Sequence, residues 1–194
     1  MGFHERGKYT EDDLKTYCFV CSGPTVDGFM CTNCRSLEPN LITVDHTQVN
    51  PMSPLGTGLC TLDRVRKHGS IGRYLGVILT SKKDVEDILT APAPHYVVKC
   101  GPNDFLDASN RHCDSNGIPP NWVLRYVNHS CDPNCQLIEL KVKKEYRVYI
   151  RSLRVIQIGE ELTYDYDAIR LYSSGPDIPC ACGTTRCRGT INRK

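Results

Sequence analysis

Apolar and polar positions alternate along much of this chain, and the alternation predicts short strands. The clearest run is Glu145-Tyr-Arg-Val-Tyr-Ile-Arg151, where every second residue from Tyr146 to Ile150 is apolar or aromatic. A period of two presents one face of a strand to a core. Gly72-Arg-Tyr-Leu-Gly-Val-Ile-Leu-Thr80 is rich in β-formers, and His95-Tyr-Val-Val-Lys99 reads as a further strand. The period changes at Ser81-Lys-Lys-Asp-Val-Glu-Asp-Ile-Leu89. Its apolar residues fall at 85, 88 and 89 behind a serine suited to N-capping, which predicts a short amphipathic helix. Trp122 to Val127 is apolar but of ambiguous type. Residues 109–121, with Asn116-Gly117 and Pro119-Pro120, predict a loop, and Ser173-Ser-Gly-Pro176 a hinge. The sequence shows no internal repeat and no heptads. The expected class is mostly β.

A chain of 194 residues suffices for one domain and a small appendage. Folding at this length buries roughly 70% of the surface exposed by the open chain. No apolar run reaches membrane-spanning length, and Met1 to Thr10 holds no signal-peptide core. An intracellular protein with reduced thiols and no membrane partner is expected.

That expectation changes how its 12 cysteines are read. Cys18, Cys21, Cys31 and Cys34 are spaced C-x2-C-x9-C-x2-C, and Cys180, Cys182 and Cys187 are spaced C-x-C-x4-C. Disulfides are possible on the even count. Such close pairs suit chelation better, because a disulfide between near neighbours closes a very small loop, so zinc is favoured. The formal charge of +2 is modest and no clustered basic face is evident, which disfavours direct nucleic-acid binding. Eight thiolates offset by two zinc dications would move that charge from +2 to −2, a balance suited to a basic peptide.

Three stretches carry the most chemistry: Asn128-His-Ser-Cys-Asp-Pro-Asn134, Gly159-Glu-Glu-Leu-Thr-Tyr-Asp-Tyr166 and Cys180-Ala-Cys-Gly-Thr-Thr-Arg-Cys187. In this order and spacing they resemble the signature of SET-domain lysine methyltransferases with a post-SET zinc segment. Gly56-Thr-Gly58, Tyr74 and Leu106-Asp-Ala108 match further positions, so the resemblance runs from 55 to about 191. It implies a β-clip fold of small sheets with a pseudoknot, flanked by N-terminal and C-terminal zinc-binding segments. The expected division is a flexible lead over 1–16, a zinc knuckle over 17–40, a linker over 41–54, the SET domain over 55–172 and a post-SET zinc segment over 173–194.

The resemblance implies S-adenosylmethionine as cofactor and a histone tail, free or on a nucleosome, as substrate, in the nucleus. Lysine's ordinary pKa is about 10.4, so well under about 1% of free side chains are neutral nucleophiles near pH 7. A dry channel beside a sulfonium would lower that pKa, and the protein would supply alignment. By resemblance Tyr166 is the catalytic tyrosine. Tyr164 limits the room for added methyls and so implies mono- or dimethylation, and Tyr74 lines the lysine channel. Leu55, Gly56, Thr57, Gly58, Tyr96, Arg125, Tyr126, Asn128 and His129 fall at cofactor-facing positions. Taken as residues alone, the tyrosines also suit ordinary strand packing, and His129 a buried structural role.

The family's second metal position combines Cys131 with Cys180, Cys182 and Cys187. With Cys18, Cys21, Cys31 and Cys34 this gives two expected zinc sites. The first is read as a structural cap or a dock for a protein partner, and a knuckle ahead of the catalytic region also resembles some PR-domain relatives. Cys60, Cys100, Cys113 and Cys135 are read as non-ligands. The insert at 110–120 departs from the usual spacing and bears on the choice of target lysine. The alternative reading is a catalytically weak SET-like module that binds a histone or another protein.

Overall fold

The computed structural model describes residues 47–51, 53–90, 96–109, 120–142, 145–166 and 177–191. The N-terminal cysteine cluster, most of the 110–120 insert and the 173–176 hinge lie outside the described residues.

Among the described residues, ten short strands make four small sheets. The pattern around Tyr146–Ile150 becomes the middle strand of one of the two larger ones. Here β3 (Ser70–Tyr74), β9 (Glu145–Ser152) and β8 (Cys135–Val142) lie in the order β3-β9-β8, all antiparallel. Val148, Tyr149 and Ile150 are all buried, although they face alternate ways. A middle strand covered on both faces gives this pattern.

The β-rich run from Gly72 to Thr80 divides in two. It contributes the end of β3 and then β4 (Val77–Leu79), which pairs with β6 (Asp104–Asp107) in a second sheet with β5 (Val97–Cys100). Gly76 stands at the break, where a Cβ would meet the Asp107 carbonyl at 2.7 Å. A side chain there would push the start of β4 away from the Asp107–Ala108 backbone. The predicted helix is α1 (Lys82–Thr90). Ser81 caps it, its hydroxyl 3.4 Å from the Asp84 N–H. Val85 and Ile88 bury against Leu79, Val97 and Phe105. The ambiguous stretch resolves as a kinked 3-10 helix, Pro120–Tyr126, that sinks Leu124 into the main core.

The remaining elements position the site. β1 (Thr47–Asn50) pairs with β2 (Gly58–Thr61), and β7 (Asn128–His129) pairs in parallel with β10 (Thr163–Tyr164). Residues 160–164 are therefore held on two sides. Glu161 bridges antiparallel to Cys60 of β2, and the Leu162 N–H donates to the Leu59 carbonyl at 2.8 Å. Two residues later the chain pairs with β7.

Asn134 stitches this insertion in place. Its amide donates to the Glu161 carbonyl at 2.8 Å and accepts from the Thr163 N–H at 2.8 Å. Leu59, Leu124, Val127, Ile150, Ile156 and Leu162 are each at most 1% exposed and form the centre of the core beneath. Full burial of one such side chain contributes about 1.5–3 kcal/mol.

Candidate active site

The β7–β10 pairing brings two segments more than thirty positions apart into one place. Ser130 N–H donates to the Tyr164 carbonyl at 3.1 Å, and Tyr166 N–H donates to His129 Nδ1 at 3.1 Å. The second bond makes Nδ1 an acceptor, so a neutral His129 carries its proton on Nε2. The Tyr166 hydroxyl donates to the Val127 carbonyl at 2.9 Å. The ring of Tyr166 lies 5.4 Å from that of His129 and 4.8 Å from that of Tyr164. Tyr164 is buried and Tyr166 half-buried.

The glycine turn closes the other side of Asn128. The Asn128 amide donates to Glu161 Oε1 at 2.8 Å and reaches the Thr57 carbonyl at 3.3 Å. The same carboxylate accepts the Ser53 hydroxyl at 2.9 Å. A Cβ at Gly58 would run into the Glu161 carboxylate, so a side chain there would displace that carboxylate from Ser53 and Asn128. Gly56 sits at φ +99°, which glycine adopts without strain. Leu55 is partly covered, its N–H reaching the Ser53 hydroxyl at 3.3 Å.

Tyr74, Tyr96, Arg125 and Tyr126 make a second group. The buried Tyr74 hydroxyl donates to the Tyr96 carbonyl at 3.2 Å. The Arg125 guanidinium lies over Tyr96, 3.7 Å from its ring centroid, with Tyr126 at 5.3 Å, and Nη1 donates to the Ala108 carbonyl. The aromatic residues of both groups belong to, or pack against, the main core cluster.

Cys131, two residues beyond His129, joins Cys180, Cys182 and Cys187. Their four Sγ atoms lie within 4.8 Å of one another, and Cys131 to Cys180 is 3.7 Å. Tetrahedral zinc with Zn–S of about 2.3 Å places sulfurs roughly 3.8 Å apart, so the donor set fits that ion. All four are free thiols, as are the other described cysteines. A small loop presents Cys180, Cys182 and Cys187, closed by Cys180 N–H to the Gly189 carbonyl at 2.9 Å and Ile191 N–H to the Ile178 carbonyl at 2.8 Å.

Burial pushes the Cys180 thiol up to about 12. At Cys182 burial opposes ionisation, but the Thr184 hydroxyl and neighbouring N–H groups outweigh it and the thiol falls to about 5. The leftover Cys100 and Cys135 sit in the core, where burial raises them to about 11 and about 12. Neither belongs to the cluster of four sulfurs, so neither is placed to hold the same ion.

Two contacts join the cysteine cluster to the β7–β10 pair that carries the tyrosines. Arg188 Nη1 and Nη2 donate to the two carboxylate oxygens of Asp165, at 3.0 and 2.9 Å. His129 Nε2 lies 3.4 Å from Cys131 Sγ. Asp165, Arg188, Glu161, Asn134 and Ser53 were not singled out from the sequence. All but Ser53 lie within or next to the quoted motifs, and the polar residues flanking the tyrosines and cysteines were the available signal.

The profile of the family described as SET domain matches residues 56–167. The chain belongs to the SET-domain family. It is 31% identical over 139 residues to the "Histone-lysine N-methyltransferase, H3 lysine-4 specific" of Neurospora crassa, covering 70% of this chain and 10% of that protein. It is 39% identical over 97 residues to the protein of the same description from Aspergillus oryzae, covering 50% and 7%. With "Histone-lysine N-methyltransferase ash1" of Drosophila melanogaster it shares 32% over 142 residues, covering 72% and 6%.

The SET-domain chain thus spans about a tenth or less of these relatives. The crystal structure of the methyltransferase domain of human Histone-lysine N-methyltransferase SETMAR shares its fold. That likeness has a TM-score of 0.60 and 23% identity over 77% of this chain and 61% of that one. The mostly-β architecture of small sheets is that of a SET domain. Among the described residues no helix is long and apolar enough to cross a membrane.

Proposed function

We propose that this SET domain is an S-adenosylmethionine-dependent protein-lysine methyltransferase that acts on a histone tail in the nucleus. One observation carries the reading. Asn128-His129 and Tyr164–Tyr166 meet at a two-stranded parallel pairing, with the Tyr166 phenol tied to the Val127 carbonyl. Relatives described as histone-lysine N-methyltransferases support the substrate class.

The residues fit the cofactor. Gly56 and Gly58 make a turn that a side chain at 58 would block, and it lies against Asn128. Leu55 to Gly58, Asn128 and His129 would hold it from that side, with Tyr96, Arg125 and Tyr126 from the other. S-adenosylmethionine, when bound, supplies an electrophilic methyl on a sulfonium.

The chain's own groups do the rest. Tyr166 donates its proton to Val127, so its oxygen keeps lone pairs for the reacting centre. Tyr164, packed on Tyr166, shapes the space around the incoming amine and limits the product to mono- or dimethyl-lysine. Tyr74, buried and pinned to Tyr96, lines the lysine channel. Apolar walls favour the neutral amine over its cation and exclude water.

Cys131, Cys180, Cys182 and Cys187 would hold one zinc, which orders the 177–191 loop beside the tyrosines. Cys18, Cys21, Cys31 and Cys34 would hold a second, in a knuckle able to dock a protein partner. The domain division over 1–16, 17–40, 41–54, 55–172 and 173–194 belongs to the same reading.

The test is incubation of the chain with radiolabelled S-adenosylmethionine and intact core histones. Label on a histone lysine supports the proposal. Tight cofactor binding with no label on any histone contradicts it and favours an interaction module.

A further inference from the structure

A cluster of cations around the turn that precedes β3 is not used by the proposed reaction. Arg64, Arg66 and Lys67 form a basic run broken only by Val65, His68 follows it, and all four are exposed. Val65 turns inward onto the core and bridges to Ile156, which leaves Arg64 and Arg66 outward on either side of it. The fold then adds Arg151, whose Nε donates to the His68 carbonyl at 2.8 Å. The sequence shows a modest net charge and no evident basic face, which disfavours a nucleic-acid partner, but the fold gathers Arg64, Arg66, Lys67 and Arg151 at one turn and these set the surface potential there.

The turn that carries them is rigid. His68 sits at φ 62°, a left-handed backbone that non-glycine residues seldom adopt. It is held there by its N–H donating to the Ser152 carbonyl at 3.1 Å and by Ser152 N–H donating to the Gly69 carbonyl at 2.9 Å. The fully buried Ser152 hydroxyl donates to the Arg66 carbonyl at 2.6 Å. Burial and then the charges of Arg151 and Lys67 hold His68 below its ordinary range, so it serves as a hydrogen-bonding group more than a cation near pH 7. Asp63, exposed beside Arg64, is the one acid within residues 62–69.

We propose that the pinned turn at 64–68, with Arg151, is a docking surface for the phosphate backbone of double-stranded DNA. Arginine forks match phosphate oxygens in geometry as well as charge. Pinning the backbone that carries the cations before contact lowers part of the ordering cost of binding. Single-stranded nucleic acid is the poorer fit, because residues 62–69 offer no Phe, Tyr or Trp on which bases could stack. The preference for DNA over an RNA duplex rests on the histone-tail reading, since such tails lie beside DNA. Binding itself is independent of methyl transfer, so either idea can fail alone.

The experiment is fluorescence anisotropy of a labelled DNA duplex titrated with the whole chain at several salt concentrations. It is run beside Arg66→Glu/Lys67→Glu and a control reversal on α1, Lys82→Glu/Lys83→Glu. The expected result is salt-sensitive binding that weakens roughly tenfold or more in the turn variant and little in the control. The turn variant's log–log salt slope should shrink by about 0.9 for each phosphate it no longer neutralises. Lys67→Glu alone, at an exposed turn position, must weaken binding in the same direction should the double variant fail to fold. Absence of duplex binding at low salt overturns the proposal. So does equal weakening in both double variants, or binding only to duplex RNA or to an acidic polypeptide.

Discussion

Arg188 grips Asp165 with two hydrogen bonds, and Asp165 is the residue between Tyr164 and Tyr166. The backbone N–H of Arg188 also points at Cys131 Sγ, 3.4 Å away. One residue thus ties the cysteine loop to the strand that carries both tyrosines. The pair is well covered, with side chains 26% and 11% exposed, so its hydrogen bonds are shielded from solvent.

Removing this tie should loosen the 177–191 loop and slow the reaction without abolishing the fold. Arg188→Ala is expected to cost about 1.5–3 kcal/mol of stability, the range for hydrogen bonds to charged groups. Arg188→Lys keeps the charge but loses the two-point grip, so it should fall between wild type and alanine. Limited proteolysis within 177–191, followed alongside methyl transfer, measures both effects.

Tyr164 is expected to set the number of methyls. Tyr164→Phe removes one hydroxyl from a buried ring beside Tyr166 and enlarges the space by about one water. Mass spectrometry of the product should then show more di- and trimethyl-lysine than with wild type. Efficient trimethylation by the wild-type chain would refute this role.

Metal analysis tests the cysteine loop. Cys182→Ser should lower bound zinc by about one atom per chain, and a chelator should lower the melting temperature of wild type. The zinc that remains in Cys182→Ser would belong to Cys18, Cys21, Cys31 and Cys34. Its loss in Cys18→Ser would assign it.

Acid should weaken the stitch at Asn134. Burial opposes ionisation of Glu160, but Arg154, the Gln157 N–H and the Asn134 amide outweigh it and hold the carboxyl below its ordinary range. A carboxyl depressed in the folded state stabilises above its unfolded pKa, about 4.3. That contribution is lost as pH falls through the lower folded value. Urea midpoints should therefore drop below about pH 4.3 more steeply for wild type than for Glu160→Gln, which has no carboxyl to titrate.

How much of this was legible in the sequence varies with the kind of contact. Strand β9 and helix α1 announced themselves because alternation and capping are local. The Trp122–Val127 stretch did not, since an apolar hexapeptide suits either helix or strand until neighbours choose. The Gly72–Thr80 run looked continuous because the break at Gly76 depends on Asp107, thirty-one positions later. At the site, the resemblance of the motifs to the SET signature flagged Asn128, His129, Tyr164 and Tyr166. The ion pair of Asp165 with Arg188, and the hydrogen bonds of Glu161 with Ser53 and Asn128, depend on chain threading that spacing does not encode. The same holds for Arg151, which joins the Arg64–His68 turn only through strand pairing.

The most direct measurement compares wild type with Tyr166→Phe in methyl-transfer rate and cofactor affinity on the same histone. The hydroxyl is bonded to a backbone carbonyl at one edge of the core, so the variant should still fold and bind S-adenosylmethionine. Its turnover should fall by roughly 100-fold or more, about 2.7 kcal/mol of barrier. A Tyr166→Phe chain that transfers methyl at the wild-type rate would contradict the account.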